Sequence, residues 1–474
     1  MVLYKDIVDV IVEEFSQTVD FVAKELDWKN EHVILCYYSS MIDTAVVMEQ
    51  LQTIQKRFES GKAKWGETAF TKENKFTMKQ LKESICAGET VIIFPSSDNM
   101  ISILLPKIAS RGPESPENEY VVRGSHDGFV ENLDVNINLI RKKLRSADLK
   151  IENRVIGTKS NSTVSIIYLT TKVDTEALDT LKERLDQIET EMMYSSGQLE
   201  DYLEDSIWSP FPQFLNTERP DRVIANLVEG KIVILTDSDP TALIGPISLF
   251  TFYESPDDFN GRVLVGSFYR LVRLASFFTA IFLPAFYIAV ASFHFEIMPL
   301  ELGEQVKSSV SNIPFRPIFE ALLLELMIEL IREASIRLPS PIGQTIGVVG
   351  GLVIGDAIVS AGLASNLMVI VVASTALASF VVPSVEMNTT IRLLRFPFMV
   401  AASLFGFFGI VIGSMILFIH LLNLQSLNQP YLSPVIPFEP KKIKAVFFRL
   451  PFYKQIPQHR SFYFFSKKGS KRNG

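Results

Sequence analysis

The stretch SPIGQTIGVVGGLVIGDAIVSAG, Ser340–Gly362, decides how the rest of this 474-residue chain is read. It is apolar and dense in glycine, yet it carries one acid, Asp356. Gly343, Gly347, Gly351 and Gly355 recur at every fourth position. In a helix that spacing leaves a stripe bare of side chains, against which another helix packs at backbone distance inside a membrane. An acid at the bilayer centre costs about 2.5–3.5 kcal/mol on insertion scales, so Asp356 must face a cavity, a polar partner or water. Ser360 follows one turn later on the same face. Two uses stay open. The stripe can close one bundle around a hydrogen-bonded structural acid, or it can pack neighbouring subunits around an axis, with Asp356 and Ser360 lining a cation pathway.

Outward from this stretch, residues 338–438 contain only four formal charges, Asp356, Glu386, Arg392 and Arg395, whereas the first 270 residues are charged like an ordinary soluble protein. The seam divides a soluble region from a membrane region. About 20 apolar residues cross a bilayer, which places spans at Leu274–Phe293, Thr345–Ala364, Leu367–Val382 and Phe396–Leu422. Arg270 and Arg273 stand just ahead of the first span and orient its start to the cytoplasm. From Tyr431 onward ten Lys or Arg face a single acid, Glu439, a net of +9 that leaves −16 on the first 430 residues. A basic tail directly after a hydrophobic segment reads as cytoplasmic and close to anionic headgroups. Four spans return the tail to the side on which the chain began. No nucleic-acid motif accompanies the tail, so no nucleic-acid partner is expected.

Between the first two spans lies PIFEALLLELMIELIREASIRLP, Pro317–Pro339. Its charges Glu325, Glu329, Arg332, Glu333 and Arg337 fall on one broad helical face, and Glu329/Arg332 and Glu333/Arg337 have ion-pair spacing. Such a helix either lies in the membrane interface or lines a water-filled pathway.

The soluble region alternates helical and strand patterns. KDIVDVIVEEFSQTVDFVAKEL has helical spacing, HVILCYY reads as a buried strand, and FTMKQLKESICAG as a helix stopped by Gly88. ETVIIFPSSDNMISILLP and NRVIGTKSNSTVSIIYLTT each read as two strands about a polar turn. FVENLDVNINLIRKKLR and TEALDTLKERLDQI read as helices, the second opened by Thr175. The predicted architecture is an α/β cytoplasmic region of two subdomains, 1–109 and 121–268, joined by a Pro- and acid-rich linker at 110–120. An all-α multi-pass transmembrane domain over 269–425 and a basic tail over 426–474 follow. The two α/β regions could be one unit repeated, but no residue-level repeat supports that.

No enzyme signature is present. Two cysteines and five scattered histidines form no metal spacing. GTKS, Gly157–Ser160, has Thr158 where a phosphate loop needs Lys, and there is neither a G-x-S-x-G elbow nor an H-E-x-x-H pair. Asp257 and Asp258 in ESPDDF read as a helix start. Neither cofactor nor catalysis is expected.

Three blocks resemble a known family, the A subunit of the GerA-type spore germinant receptors. They are VRGSHDGFVENLDVNINLIRKKLRSADLKIE (Val122–Glu152), FYESPDDFNGR (Phe252–Arg262) and REASIRLPSPIGQTIGVVGGLVIGDAIVSAGLAS (Arg332–Ser365). The pattern departs at Ser125-His126-Asp127 and at Asn260-Gly261. The resemblance implies a multi-pass protein of the spore inner membrane that works with a transporter-like B subunit and a lipoprotein C subunit. It further implies nutrient sensing, chiefly by the B subunit, release of monovalent cations, and an A subunit that forms homo-oligomers. Either the chain is the cation-conducting part of the complex, or it is a non-conducting scaffold that relays nutrient binding to a separate channel.

Overall fold

The computed structural model describes residues 2–15, 18–28, 31–59, 71–96, 99–104, 116, 119, 121, 124–311, 313–339, 351 and 353–449. They fall into two compact units. The first comprises Met1–Ile207, Gln213–Ile247 and Gln425–Gln429; the second comprises Trp208–Pro212, Ser248–Leu424 and Pro430 onward. The seam thus lies at residue 247 rather than 268, and both α/β regions belong to a single unit. Most of the expected linker at 110–120 lies outside the described residues, although Glu119 is tied to Arg222 and to Thr217 Oγ1.

The first unit holds two five-stranded antiparallel sheets. One contains β1 (Phe21–Trp28), β2 (Glu31–Tyr38), β3 (Thr71–Lys75), β4 (Glu89–Phe94) and β5 (Asn99–Leu104), in the order β1-β2-β4-β5-β3. The other contains β6 (Leu149–Ile156), β7 (Ser162–Leu169), β8 (Leu215–Thr217), β9 (Ile232–Thr236) and β10 (Ala242–Gly245), in the order β6-β7-β9-β10-β8. The two orders are the same. Helices fall at matching places too. α1 (Val2–Glu14), α2 (Thr44–Glu59) and α3 (Met78–Cys86) serve the first sheet, and α4 (Leu133–Lys143), α5 (Thr175–Asp186) with the extra α6 (Ser196–Leu203), and α7 (Pro220–Val228) serve the second. The fold is therefore a repeated α-β-β-α-β-α-β-β unit, though the residues alone do not declare it.

Central strands explain the apolar runs. β2 is buried from Val33 to Tyr38 and β9 throughout, so both of their faces are covered. Ile11 and Phe15, at and just beyond the end of α1, complete the first core. The helical pattern expected through residue 26 ends at Glu14, because Phe21–Trp28 pairs with Glu31–Tyr38, Phe21 opposite Tyr38. Cross-strand pairing outweighs a helical spacing that ambiguous short runs share with strands. Asp174, not Thr175, caps α5, its side chain accepting from the Glu176 N–H. Thr77 caps α3, and Gly88 leaves it at φ +87°, a left-handed stop only glycine adopts readily.

The second unit is helical: α8 (Pro256–Asn260), α9 (Val263–Phe293), α10 (Leu300–Ser311), α11 (Pro317–Arg337), about two turns of helix over 353–360, α12 (Asn366–Phe380), α13 (Val385–Phe405), α14 (Phe407–Asn423) and α15 (Pro440–Phe447). Small residues Ala280, Ala285 and Ala289 line the buried side of α9, which packs along α12 and α13. Among the described residues α9 is the one helix long and apolar enough by itself to cross a membrane; α12 and α14 are apolar but shorter.

Two expected spans take other forms. α9 begins at Val263, so Arg270 and Arg273 lie inside it; both are buried against Asp258 (3.3 and 2.7 Å) rather than free in front of a span. Phe396–Leu422 is not one helix. It breaks at Gly406 (φ +61°), and α14 folds back along α13. A Cβ on Gly409 would stand 2.0 Å from the Ala401 carbonyl, and one on Gly413 would stand 2.8 Å from the Phe398 ring. Glycine makes both the turn and the close approach possible. A run of apolar residues reads the same straight or folded. Of Thr345–Ala364, residues 345–350 and 352 lie outside the described residues; the helix that contains 353–360 closes at Gly362 (φ +65°).

Candidate functional site

α11 turns acids inward and leucines outward. Glu320 and Glu325 are completely buried, while Leu326 and Leu330 of the same helix are each 54% exposed. Buried acids survive where other polar groups meet them, and in a lipid-facing bundle polar side chains turn inward. Here they meet α13. Glu325 pairs with Arg395, whose Nε also donates to the Ala280 carbonyl of α9 (3.0 Å), so one guanidinium joins three helices. One turn along, Arg392 pairs with Glu329 at 2.7 Å. Since residue numbers rise along α11 as they fall along α13, the two helices run antiparallel at this seam.

Glu320 lies in the first turn of α11 and accepts from the Ser365 N–H (2.9 Å), the capping residue of α12. Two helix N-termini thus converge on one carboxylate, which suits its negative charge. The expected pairing of Glu329 with Arg332 does not form: Glu329 turns to Arg392, and the Arg332 guanidinium lies over the Phe380 ring at 4.8 Å. Arg337 donates to Glu333 (2.9 Å) in an exposed pair. The five charges therefore do not form one solvated face. Glu325 and Glu329 point into the bundle, and Glu333 and Arg337 lie at an exposed end.

The glycine stripe is described in part. Gly343 and Gly347 lie outside the described residues. Gly351 and Gly355 have nothing within 4 Å of where a Cβ would stand, and Asp356 and Ser360 are exposed. Among the described residues, nothing packs against these two glycines.

The motif ESPDDFNGR begins as expected. Ser255 and Asp258 form a reciprocal capping box at the start of α8. Asp258, fully buried, then holds Arg270 and Arg273, and Arg270 also meets Glu254 at 3.1 Å. Arg449 donates to the Gly261 carbonyl, so this part of the basic tail is fastened beside the start of α9. At that same helix end of α13 and α14, Thr390 donates to the Pro210 carbonyl and Ser209 Oγ meets His420 Nε2 at 2.9 Å.

Sequence reasoning passed over Glu320, Arg392 and Arg395. The signal was present: two arginines three residues apart, within 101 residues holding only four charges, are in the wrong solvent unless acids come to them.

The family described as Bacillus/Clostridium GerA spore germination protein matches residues 9–460. "Spore germination protein GerQA" of Bacillus cereus is 37% identical over 445 residues, covering 93% of this chain and 89% of that protein. "Uncharacterized membrane protein YfkQ" of Bacillus subtilis (strain 168) is 40% identical over 377 residues, covering 80% and 74%. The crystal structure of the N-terminal domain of the A subunit of the Bacillus megaterium spore germinant receptor GerK3 aligns with 50% of this chain at 21% identity and a TM-score of 0.38, too slight a likeness to fix the fold. A match along nearly the whole chain, with relatives above 30% identity over most of their own length, makes this chain a member of the GerA spore germination protein family.

Proposed function

We propose that the chain is the A subunit of a nutrient germinant receptor in the spore inner membrane, non-catalytic and multi-pass. It assembles with a transporter-like B subunit and a lipoprotein C subunit. Its own copies oligomerise into the part that conducts monovalent cations, with the α/β unit and the basic tail on the cytoplasmic side. The observation that carries the reading is a helix open on two sides: Gly351 and Gly355 offer bare backbone on one, and Asp356 and Ser360 offer oxygen on another. A close-packing stripe beside an acid suits a helix that lines an axis shared by several subunits.

The test is ion flux through the purified complex in liposomes, with Asp356→Asn and Gly351→Leu. The reading expects Asp356→Asn to lower monovalent cation flux with assembly intact, and Gly351→Leu to break the oligomer. Loss of assembly with Gly351→Leu together with undiminished flux in Asp356→Asn would instead mark the chain as a scaffold that relays the signal to a separate channel.

A further inference from the structure

We propose that the ion pairs between α11 and α13 form a ladder with two registers, along which α11 slides by one turn. Glu325, Glu329 and Glu333 recur every fourth residue on α11, a spacing that keeps successive carboxylates on neighbouring turns. Across the seam, α13 offers them two cations among the described residues, Arg392 and Arg395. In the observed register Glu325 meets Arg395 and Glu329 meets Arg392. Because the helices are antiparallel, moving α11 toward its own N-terminus by four residues, about 6 Å at about 1.5 Å per residue, brings Glu329 to Arg395 and Glu333 to Arg392. Both arginines keep a partner. The opposite slide does not work: it would set Ala321 before Arg395 and leave that buried guanidinium unpaired.

The ladder is therefore directional, and its two ends differ. Glu333 is exposed and pairs, among the described residues, with the equally exposed Arg337, a contact that exchanges at little cost. Glu325 has no arginine in the shifted register, where it comes level with Phe398 and Met399. An orphaned buried carboxylate makes that register a minor state, on the order of 1% or below, which is what a switch silent at rest requires. The slide also undoes two contacts at the edges of α11, the Glu320–Ser365 hydrogen bond and the stacking of Arg332 on Phe380. Discrete one-turn displacements of this kind convert small biases into two states because packed helices are not continuously deformable. The geometry stands without the receptor reading; the purpose of the slide, to switch the receptor, rests on that reading.

Cysteine pairs read the register in the full-length chain in membranes. Arg332→Cys with Asn388→Cys reports the observed register, and Ile336→Cys with Asn388→Cys reports the shifted one. The native Cys36 and Cys86 are buried and stay in place. With Glu325 present, the second pair should oxidise only in traces. Glu325→Leu, which removes the orphan charge, should raise its yield at least tenfold, and adding Glu333→Gln should suppress it again. Glu325→Gln serves as a second, isosteric variant, and the Arg332/Asn388 pair checks that each protein is folded. A yield unmoved by Glu325→Leu and Glu325→Gln, or indifferent to Glu333→Gln, overturns the ladder. Spores carrying Glu325→Leu should also germinate in buffer without nutrient. A register shift without that phenotype would leave the slide standing and sink its link to reception.

Discussion

Removing one guanidinium should strongly loosen the tie between the two sheets of the first unit. Arg141, at the end of α4, is 2% exposed and grips the Asp20 carboxylate through Nε (3.0 Å) and Nη2 (2.7 Å). Asp20 opens β1 of the first sheet and also accepts from Thr18 Oγ1 and Ser40 Oγ, each at 2.8 Å. Thr18 reaches the second sheet, its Oγ1 accepting from the Ile151 N–H (2.9 Å). The Arg141 guanidinium also lies over the Tyr38 ring at 4.1 Å. Arg141→Met strips Asp20 of its charge partner while leaving it buried, a change that costs about 3–5 kcal/mol. The Asp20→Leu/Arg141→Met double variant removes both charges and should recover about half or more of that loss, since an apolar pair of similar volume is often neutral. Urea unfolding of the detergent-solubilised chain measures it. Trp28, buried against Phe94, serves as the reporter once Trp65 and Trp208 are replaced by Phe. At an m of about 2–3 kcal/mol/M the midpoint should fall by roughly 1–2.5 M. Within 1 kcal/mol of wild type for Arg141→Met, or no recovery in the double variant, the tie would be ornamental and some other contact would join the sheets.

Other expectations are separable from this one. Burial raises the Glu204 carboxyl from 4.5 to about 7, with Asp201 and Asp205 adding and the Gln213 N–H opposing. The folded chain thus keeps a proton that the unfolded chain releases near pH 4.5, so this contribution is complete below that pH and is lost as pH rises through 7. Glu204→Gln should flatten the melting temperature between pH 5 and 8 and raise it at pH 8; a profile unchanged from wild type would deny Glu204 this role. Gly245→Ala would place a methyl 2.7 Å from the Phe214 ring and should cost about 1–3 kcal/mol in denaturant. Gly409→Ala, aimed at the Ala401 carbonyl, should sharply lower the yield of folded protein in detergent, whereas Gly351→Ala, with open space before it, should not. Burial pushes the Cys36 thiol up to about 12, so maleimide should leave it unlabelled until denaturant is added, as mass spectrometry of the labelled peptide will read.

What the chain declared by itself was solvent preference. The scarcity of charge after Leu338, the strand-rich runs HVILCYY and NSTVSIIYL, and the Ser255–Asp258 cap are local facts, and local facts can be read in order. The common strand plan of the two sheets could not be, because β4 lies beside β2 and β8 beside β10 through pairings that skip along the chain and leave no periodic trace. The return at Gly406 was hidden in an unbroken apolar run, since lipid accepts a straight helix and a folded pair alike. Only the packed structure decided that Glu325 and Glu329 face arginines more than sixty residues away. A charge chooses its side of a helix by the partner it finds there, and that partner is brought by tertiary packing.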